Sequence, residues 1–367
     1  CHAWVRCAKV RQLIASMPAV ELTARQPAAS EHEEEVKTLI PGRRKLDAPS
    51  PECIGVAENA DDLEEQIPRG KLARLYEHWP SRNTFCCCGL LITGGTDECC
   101  CPNLCIWCFI LVPSSLYFGF VAPSLVANGI YLLPGATLAV FCVTTGLLCA
   151  TCCTDPGIIP RREVVLATGT AEQLREALGY DILDGEDGGI SAKLRKEGYR
   201  LCNTCSIIRP PRASHCGDCD NCVMRYDHHC PFVNNCVGQR NYHFFFGFIS
   251  CVLVLALMVL PALALHLLNP RKERAMKNAA KIDQRMSLFF YMLIGVGVLV
   301  AFAAFLSLLL WAYHLFLILT KQTTKEFRRG IANIDEEPTL CAARGPQLFN
   351  PWALVNPDDL LRTRRRH

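Results

Sequence analysis

Between Cys202 and Cys236 the chain carries seven cysteines (Cys202, Cys205, Cys216, Cys219, Cys222, Cys230, Cys236) and three histidines (His215, His228, His229). Cys202/Cys205, Cys216/Cys219 and Cys219/Cys222 are C-x-x-C steps. That spacing lets two thiolates face one ion across a turn and points to tetrahedral zinc. Two closed sites consume eight donors; ten are present, so two are spare. The run "DHHCPFVNNC", Asp227 to Cys236, concentrates the ambiguity. In an extended segment His228 and Cys230 face one side, Asp227 and His229 the other. One histidine can turn to a metal, and the other then lies beside Cys230. A thiol next to an imidazole on a metal-pinned loop makes a nucleophile, because the base takes its proton and nearby positive charge favours the thiolate. Spacing alone leaves His228 and His229 as alternatives.

Other uses of these residues fit less well. A disulfide framework belongs to secreted chains, and no secretory signal peptide precedes the first apolar run, which begins after residue 100. A nucleic-acid finger would place a helix after its ligands, and a net charge of +3 gives no electrostatic footprint for nucleic acid. A cross-brace ubiquitin ligase interleaves its ligands but uses longer loops and leaves the spare Cys–His pair unexplained. A non-catalytic zinc scaffold would tolerate the loss of Cys230.

The elements that must position this cluster are apolar. Half of the 367 residues are hydrophobic and a fifth charged, which separates into apolar and hydrophilic blocks. No charged residue lies between Glu98 and Asp155, a stretch that divides at "PSLVANG", with Pro123, Asn128 and Gly129 suited to a tight turn. Further charge-free runs lie between Arg240 and Arg271 and between Arg285 and Lys321. Each accommodates the roughly 20 residues that cross a bilayer. The fold class is therefore an α-helical integral membrane protein, with four transmembrane helices and a small cytosolic cysteine-rich double-zinc domain between helices 2 and 3. An even number of spans places both termini and the central segment on one side. That segment carries 11 Lys/Arg from Arg161 to Arg240, which makes it cytosolic by the positive-inside rule. The six basic residues from Arg271 to Arg285 argue the other way, and free thiolate chemistry decides for the cytosol.

The expected organisation is a disordered region over 1–80, transmembrane helices 1 and 2 over 81–153, a linker over 154–200, the zinc domain over 201–242, helices 3 and 4 over 243–320, and a cytosolic C-terminal region over 321–367. Residues 161–199 read as a loop with one short helix, "AEQLREALGY", and no internal repeat is evident. The chain begins at Cys1, as expected of an incomplete or processed sequence.

The run "CNTCSIIRPPRASHCGDCDNCVMRYDHHCPFVNNCVGQRNYHFF" resembles the cysteine-rich domain of the DHHC-type protein S-acyltransferases. "TDPG" (Thr154–Gly157) follows the second span as that family's DPG motif does, and "TTKE" (Thr323–Glu326) follows the fourth as its TTxE motif does. "FNPW" near Asn350 resembles its C-terminal asparagine region. "RNTFCCCGLLITG" resembles the segment before the first span in the Ras-palmitoyltransferase-like Golgi subgroup. The resemblance spans roughly residues 75–356.

It implies one zinc held by Cys202, Cys205, His215 and Cys222, and a second held by Cys216, Cys219, His229 and Cys236. Cys230 then becomes the nucleophile, His228 its general base, Asp227 the residue that orients the base, and Thr324 a support for Asp227. The implied activity is protein S-palmitoylation: Cys230 takes a fatty acyl group from palmitoyl-CoA and passes it to cysteines of membrane-associated proteins. The implied partners are the lipid bilayer, palmitoyl-CoA, those protein substrates and, in some members, an accessory subunit. The implied membrane is the Golgi, with plasma membrane and endoplasmic reticulum as alternatives. Two positions depart from the family pattern: Phe232 replaces a usual Trp, and Ser214 a frequent His.

Burying a 16-carbon chain is worth ~0.8 kcal/mol per CH₂, so a cavity between the helices at the cytosolic face is expected. Lys325, Arg328 and Arg329 are candidates for the CoA phosphates, with an ordinary basic flank as the plainer reading. Cysteines 86–88, 99–101 and 152–153 sit at membrane boundaries, where they are S-acylation candidates or small apolar residues. His243, His266 and His314 lie in or at the ends of spans, where they mark a cavity or, on the plainer reading, helix ends facing headgroups. "RTRRRH" at the C-terminus suits anionic lipid or a solvated tail.

Overall fold

Among the described residues of the computed structural model, four apolar stretches form helices long enough to cross a bilayer: Cys101–Ala127, Leu132–Cys153, Tyr242–Ala264 and Gly297–Leu319. The structure describes residues 72–95, 101–183, 190–267, 284–331 and 345–364. Leu257, Val298 and Leu319 stay exposed on the outer faces, as lipid-facing side chains do. The protein is a multi-pass helical membrane protein with its cysteine-rich region between the second and third spans.

The turn between the first two spans falls later than expected. Pro123 lies inside the helix Ala122–Ala127. A π-turn over Tyr117–Val121 precedes it and lets the helix continue past a residue with no N–H to donate. The span then closes at Asn128 and Gly129. Ile130 N–H donates to Leu125 C=O and Gly129 N–H to Val126 C=O, with Gly129 at φ +77°, the geometry of a glycine-terminated helix.

Residues 154–199 contain more helix than the one expected segment. Ala171–Leu178 is joined by Arg162–Thr168 and Ala192–Lys196. Arg162–Thr168 buries Val164 and Val165 and stops at Gly169, so its short apolar face was hidden among polar neighbours.

Three antiparallel hairpins follow: Arg200–Cys202 with Ile207–Arg209, Ser214–Cys216 with Asn221–Val223, and His228–Cys230 with Asn235–Val237. Their registers correspond, pairing Cys202 with Ile207, Cys216 with Asn221 and Cys230 with Asn235. Each connecting turn ends on a left-handed residue: Ser206 at φ 51°, Asp220 at 54° and Asn234 at 47°. Cys202, Cys216 and Cys230 thus recur every 14 residues at one structural position. This repeat corrects the expectation of none. Each unit also closes on a histidine, His215, His229 and His243, and the second and third share Asn-Cys-Val. The repeat is masked because the first unit shares little more than its cysteine and histidine with the others.

Buried polar side chains fasten these hairpins to the spans. Asn235 Nδ2 lies 3.1 Å from both the Cys152 and Thr154 carbonyls, and thereby satisfies the end of the second span. Asn241 accepts from Gly238 N–H at 2.9 Å and donates to Cys236 C=O at 2.8 Å. In the DPG motif, Asp155 Oδ1 accepts from the N–H groups of Gly157 and Ile158, at 2.9 Å each. Gly238 packs so closely that a Cβ would stand 2.6 Å from Pro156 O. After the fourth span Thr323 and Glu326 form a capping box. Glu326 also takes a two-pronged contact from Arg212, Nε at 2.7 Å and Nη2 at 2.9 Å.

Residues 72–80 were expected to be disordered, yet Ala73–Arg74 pairs with Leu354–Val355 and Leu75 is fully buried. Leu75, Phe349, Val355 and Leu360 pack on Cys216, Cys219 and Cys236, so both flanking segments cover the second cysteine cluster. The rest of the 1–80 region up to residue 71 lies outside the described residues.

The Arg212 and Glu326 side chains are 2% and 9% exposed, so removing either would leave the other's charge buried without its ion-pair partner. Arg212→Met should destabilise the protein by about 3–5 kcal/mol. The check is a lowered Tm in detergent, largely recovered by the double substitution Arg212→Met/Glu326→Gln, which removes the second charge and keeps an acceptor for the Thr323 N–H.

Candidate active site

The corresponding hairpin positions explain how the cysteines divide. The first two hairpins each supply the cysteine ending their first strand and the cysteine three residues later in the turn. The next hairpin supplies a histidine from its first strand and a cysteine from its second. Cys202, Cys205, His215 and Cys222 meet in this way, as do Cys216, Cys219, His229 and Cys236, with ligand atoms within 4.8 Å of one another in each group. In the third hairpin Val233 stands where Cys205 and Cys219 stand, so Cys230 has no second thiol to share an ion with.

Both groups fit a metal ion. His215 Nδ1 lies 3.4 Å from Cys205 Sγ and 3.9 Å from Cys222 Sγ. His229 Nδ1 lies 3.4 Å from Cys219 Sγ and 3.7 Å from both Cys216 and Cys236. Cys219 and Cys236 sulfurs are 3.6 Å apart. Such separations match the edges of a tetrahedron whose corners lie about 2.0–2.3 Å from its centre. His215 Nε2 faces Asp220 Oδ1 at 3.6 Å, and Asp220 Oδ2 holds Arg161 at 2.7 Å. A carboxylate behind a ligating imidazole fixes the ring's orientation.

Alternation along the strand His228–Cys230 sends His229 to the second group, while His228 hydrogen-bonds Cys230. Asp227 precedes the strand, after Arg225 at φ 42°, and this break lets neighbouring side chains meet: His228 Nδ1 is 2.6 Å from Asp227 Oδ2. Thr324 completes the chain of contacts from the fourth span's exit. Its N–H donates to Asp227 Oδ1 at 2.8 Å and its hydroxyl to Oδ2 at 2.7 Å.

The electrostatics favour an ionised pair. Burial opposes charge on all three groups. It is outweighed at Asp227, held below the usual carboxylate range by the bond and charge of His228. Burial would also lower His228, but its bonds to Asp227 and Cys230 raise it to about 9. Burial pushes the Cys230 thiol up, while His228 and the backbone N–H groups of Val233 and Phe232 bring it below its ordinary value.

Cys230 sits at the ends of the spans that meet the cysteine-rich region. Its sulfur-bearing side chain is nearly buried and belongs to an apolar cluster with Ile110, Leu148, Val233 and Phe245, edged by Trp107 and Trp311. Phe232, half exposed, anchors the loop through its carbonyl, which accepts from Asn103 Nδ2 at 2.7 Å.

Several neighbouring expectations change. Lys325 is half-buried, bonding Ser214 and lying 4.8 Å over the Tyr226 ring. Arg328 and Arg329 are exposed. His314 is not at a headgroup-facing helix end: it is 2% exposed and bonded to the Tyr242 hydroxyl at 3.0 Å. His243 is partly buried against Phe244. Cys86, Cys87, Cys88 and Cys101 are exposed, whereas Cys152 and Cys153 are partly buried. Cysteines 99 and 100 and the side chains of His266 and of the C-terminal "RTRRRH" lie outside the described residues. Arg212, Asn103, Tyr242 and His314 escaped the sequence reading as site residues; the one available signal was an ionisable residue within an apolar span, at His314.

The sequence profile of the DHHC palmitoyltransferase family matches residues 195–331. Palmitoyltransferase ZDHHC14 of Homo sapiens is 31% identical over 312 residues, covering 81% of this chain and 59% of the relative. Palmitoyltransferase ZDHHC9 of Bos taurus is 34% identical over 280 residues, 72% of this chain and 71% of the relative. Palmitoyltransferase erf2 of Emericella nidulans is 36% identical over 232 residues, 61% of this chain and 37% of the relative. The chain thus spans just under three-fifths of the length of the human relative. With its two cysteine–histidine groups and four spans, the chain belongs to the DHHC palmitoyltransferase family.

Proposed function

We propose that this protein is a protein S-acyltransferase that carries a long-chain acyl group on Cys230. One observation carries the reading: a buried sulfur among apolar side chains is hydrogen-bonded to His228, which is itself bonded to an Asp227 held by Thr324. With Nδ1 committed to Asp227, the other ring nitrogen of His228 is free to exchange a proton with sulfur.

The steps balance. Cys230 thiolate attacks the carbonyl carbon of palmitoyl-CoA, the carbon–sulfur bond to CoA breaks, and CoA leaves as a thiol with the proton held by His228. A cysteine thiol of a membrane-associated protein then gives its proton to His228 and attacks the Cys230 thioester. The Cys230 thiolate leaves and the starting pair is restored. One thioester replaces another at each step, so no nucleotide hydrolysis is required. Apolar side chains around Cys230 suit an acyl chain that stays within the membrane layer.

Zinc is the metal that thiolate and imidazole donors in tetrahedral groups favour. The first ion would be held by Cys202, Cys205, His215 and Cys222, and the second by Cys216, Cys219, His229 and Cys236. Both ions would be structural, because each group is closed by four protein donors. Cytosolic placement of this region is supported by the 11 basic residues from Arg161 to Arg240 and by the need for reduced thiols. Golgi membranes are supported by the resemblance of the "RNTFCCCGLLITG" segment to the Golgi subgroup, some members of which need an accessory subunit.

Purified protein incubated with alkynyl palmitoyl-CoA should acquire hydroxylamine-labile label that Cys230→Ala abolishes with zinc content unchanged. Equal labelling of the two proteins would place the acyl group on other cysteines and overturn the reading. His228→Gln should slow acyl-enzyme formation by about a hundredfold or more. A wild-type rate in that variant would remove His228 from the proton transfer.

A further inference from the structure

His314 is a buried ionisable side chain that the acyl-transfer steps leave unused. It lies on the fourth span, 2% exposed, with Nδ1 3.0 Å from the Tyr242 hydroxyl. Tyr242 opens the third span's helix and is fully buried. An imidazole inside an apolar span carries a desolvation penalty that a Leu or Phe of similar volume would avoid. Filling space therefore does not account for it.

Its neighbour does. The ring centroids of His314 and His228 are 5.9 Å apart at 40°. Phe245 meets His228 edge-on at 5.5 Å and 74°, and meets His314 at 4.9 Å and 72°. Asp227 restrains His228 at Nδ1. Hydrogen bonds hold the edge of such a ring, and packing limits its swing. The swing is limited by Phe245 and His314, and His314 is restrained in turn by the hydroxyl of Tyr242.

We propose that His314 and Tyr242 are a positioning pair for the acyl-transfer reaction: the Tyr242 hydroxyl locks the His314 ring, and that ring keeps the His228 imidazole turned toward Cys230. The pair rests on the reading of His228 as the group that handles the thiol proton. It links the packing of the third and fourth spans to the orientation of that group, because Tyr242 and His314 come from different spans. Small displacements of a reacting group lower rate constants steeply while leaving substrate affinity unchanged.

The test is single-turnover acylation of the full chain in detergent with palmitoyl-CoA, recording burst amplitude and limiting rate constant separately across acyl-CoA concentrations. Tyr242→Phe, which removes one oxygen, and His314→Phe, which keeps a ring without the hydrogen bond, should each lower the limiting rate constant about tenfold, with half-saturating acyl-CoA within about twofold of wild type. Amplitude and zinc content should be unchanged. The two substitutions combined should be no slower than either alone, and His314→Phe should add nothing in a His228→Gln background. A reduced amplitude at an unchanged rate constant would mean that the pair only supports folding. A tenfold loss that persists in the His228→Gln background would mean that it acts elsewhere. Either result overturns the proposal. Failure of the acyl-transfer reading shows separately, as a wild-type protein that forms no labile acyl-Cys230.

Discussion

Adjacent residues on a β-strand face opposite sides, and the strand His228–Cys230 uses this constraint to separate two chemistries. His229 points into a closed four-donor group, while His228 and Cys230 share the other face. A one-residue slip would exchange the faces and place Cys230 among the four donors of that group. Pairing with Asn235–Val237 prevents it: Cys230 is held opposite Asn235, whose side chain reaches the carbonyls at the end of the second span. Register, metal binding and attachment to the membrane helices are thus fixed together.

The same logic extends outward from that strand. Asp227 is useful because it lies just outside the strand, where an irregular backbone lets it meet its own neighbour, His228. A carboxylate buried there needs further donors, and Thr324 supplies them from the exit of the fourth span. Glu326, two residues on, is claimed by Arg212 from the loop between the first and second hairpins. The short segment Thr323–Glu326 therefore does two jobs: one side holds Asp227 and the other ties the span to the cysteine-rich region. Asp155 and Gly238 make the corresponding junction at the second span through backbone bonds and close approach.

Much of this was legible because its signals are local. Charge-free runs of sufficient length gave the four spans, and C-x-x-C steps gave two four-donor groups with two residues over. The choice between His228 and His229 was not legible from spacing, since either could turn to a metal; family resemblance supplied the choice. The 14-residue repeat was obscured because its third unit replaces a thiol with Val233, the substitution that leaves Cys230 free. For His314 the headgroup-facing reading was preferred over a cavity because a single histidine in an apolar run looks alike whether it faces lipid or core. The pairing of Ala73–Arg74 with Leu354–Val355 joins opposite ends of the described chain, and no periodic pattern announces a two-residue strand.

The central claim is that the metal groups hold the strand on which Cys230 reacts without taking part in the reaction. It is tested most directly by withdrawing metal with a graded chelator and measuring, in the same samples, bound zinc and the fraction of Cys230 that becomes acylated by palmitoyl-CoA. The account predicts that acyl-Cys230 falls together with bound zinc, and that readdition of zinc before unfolding restores both. Full acylation of Cys230 in metal-free protein would contradict it.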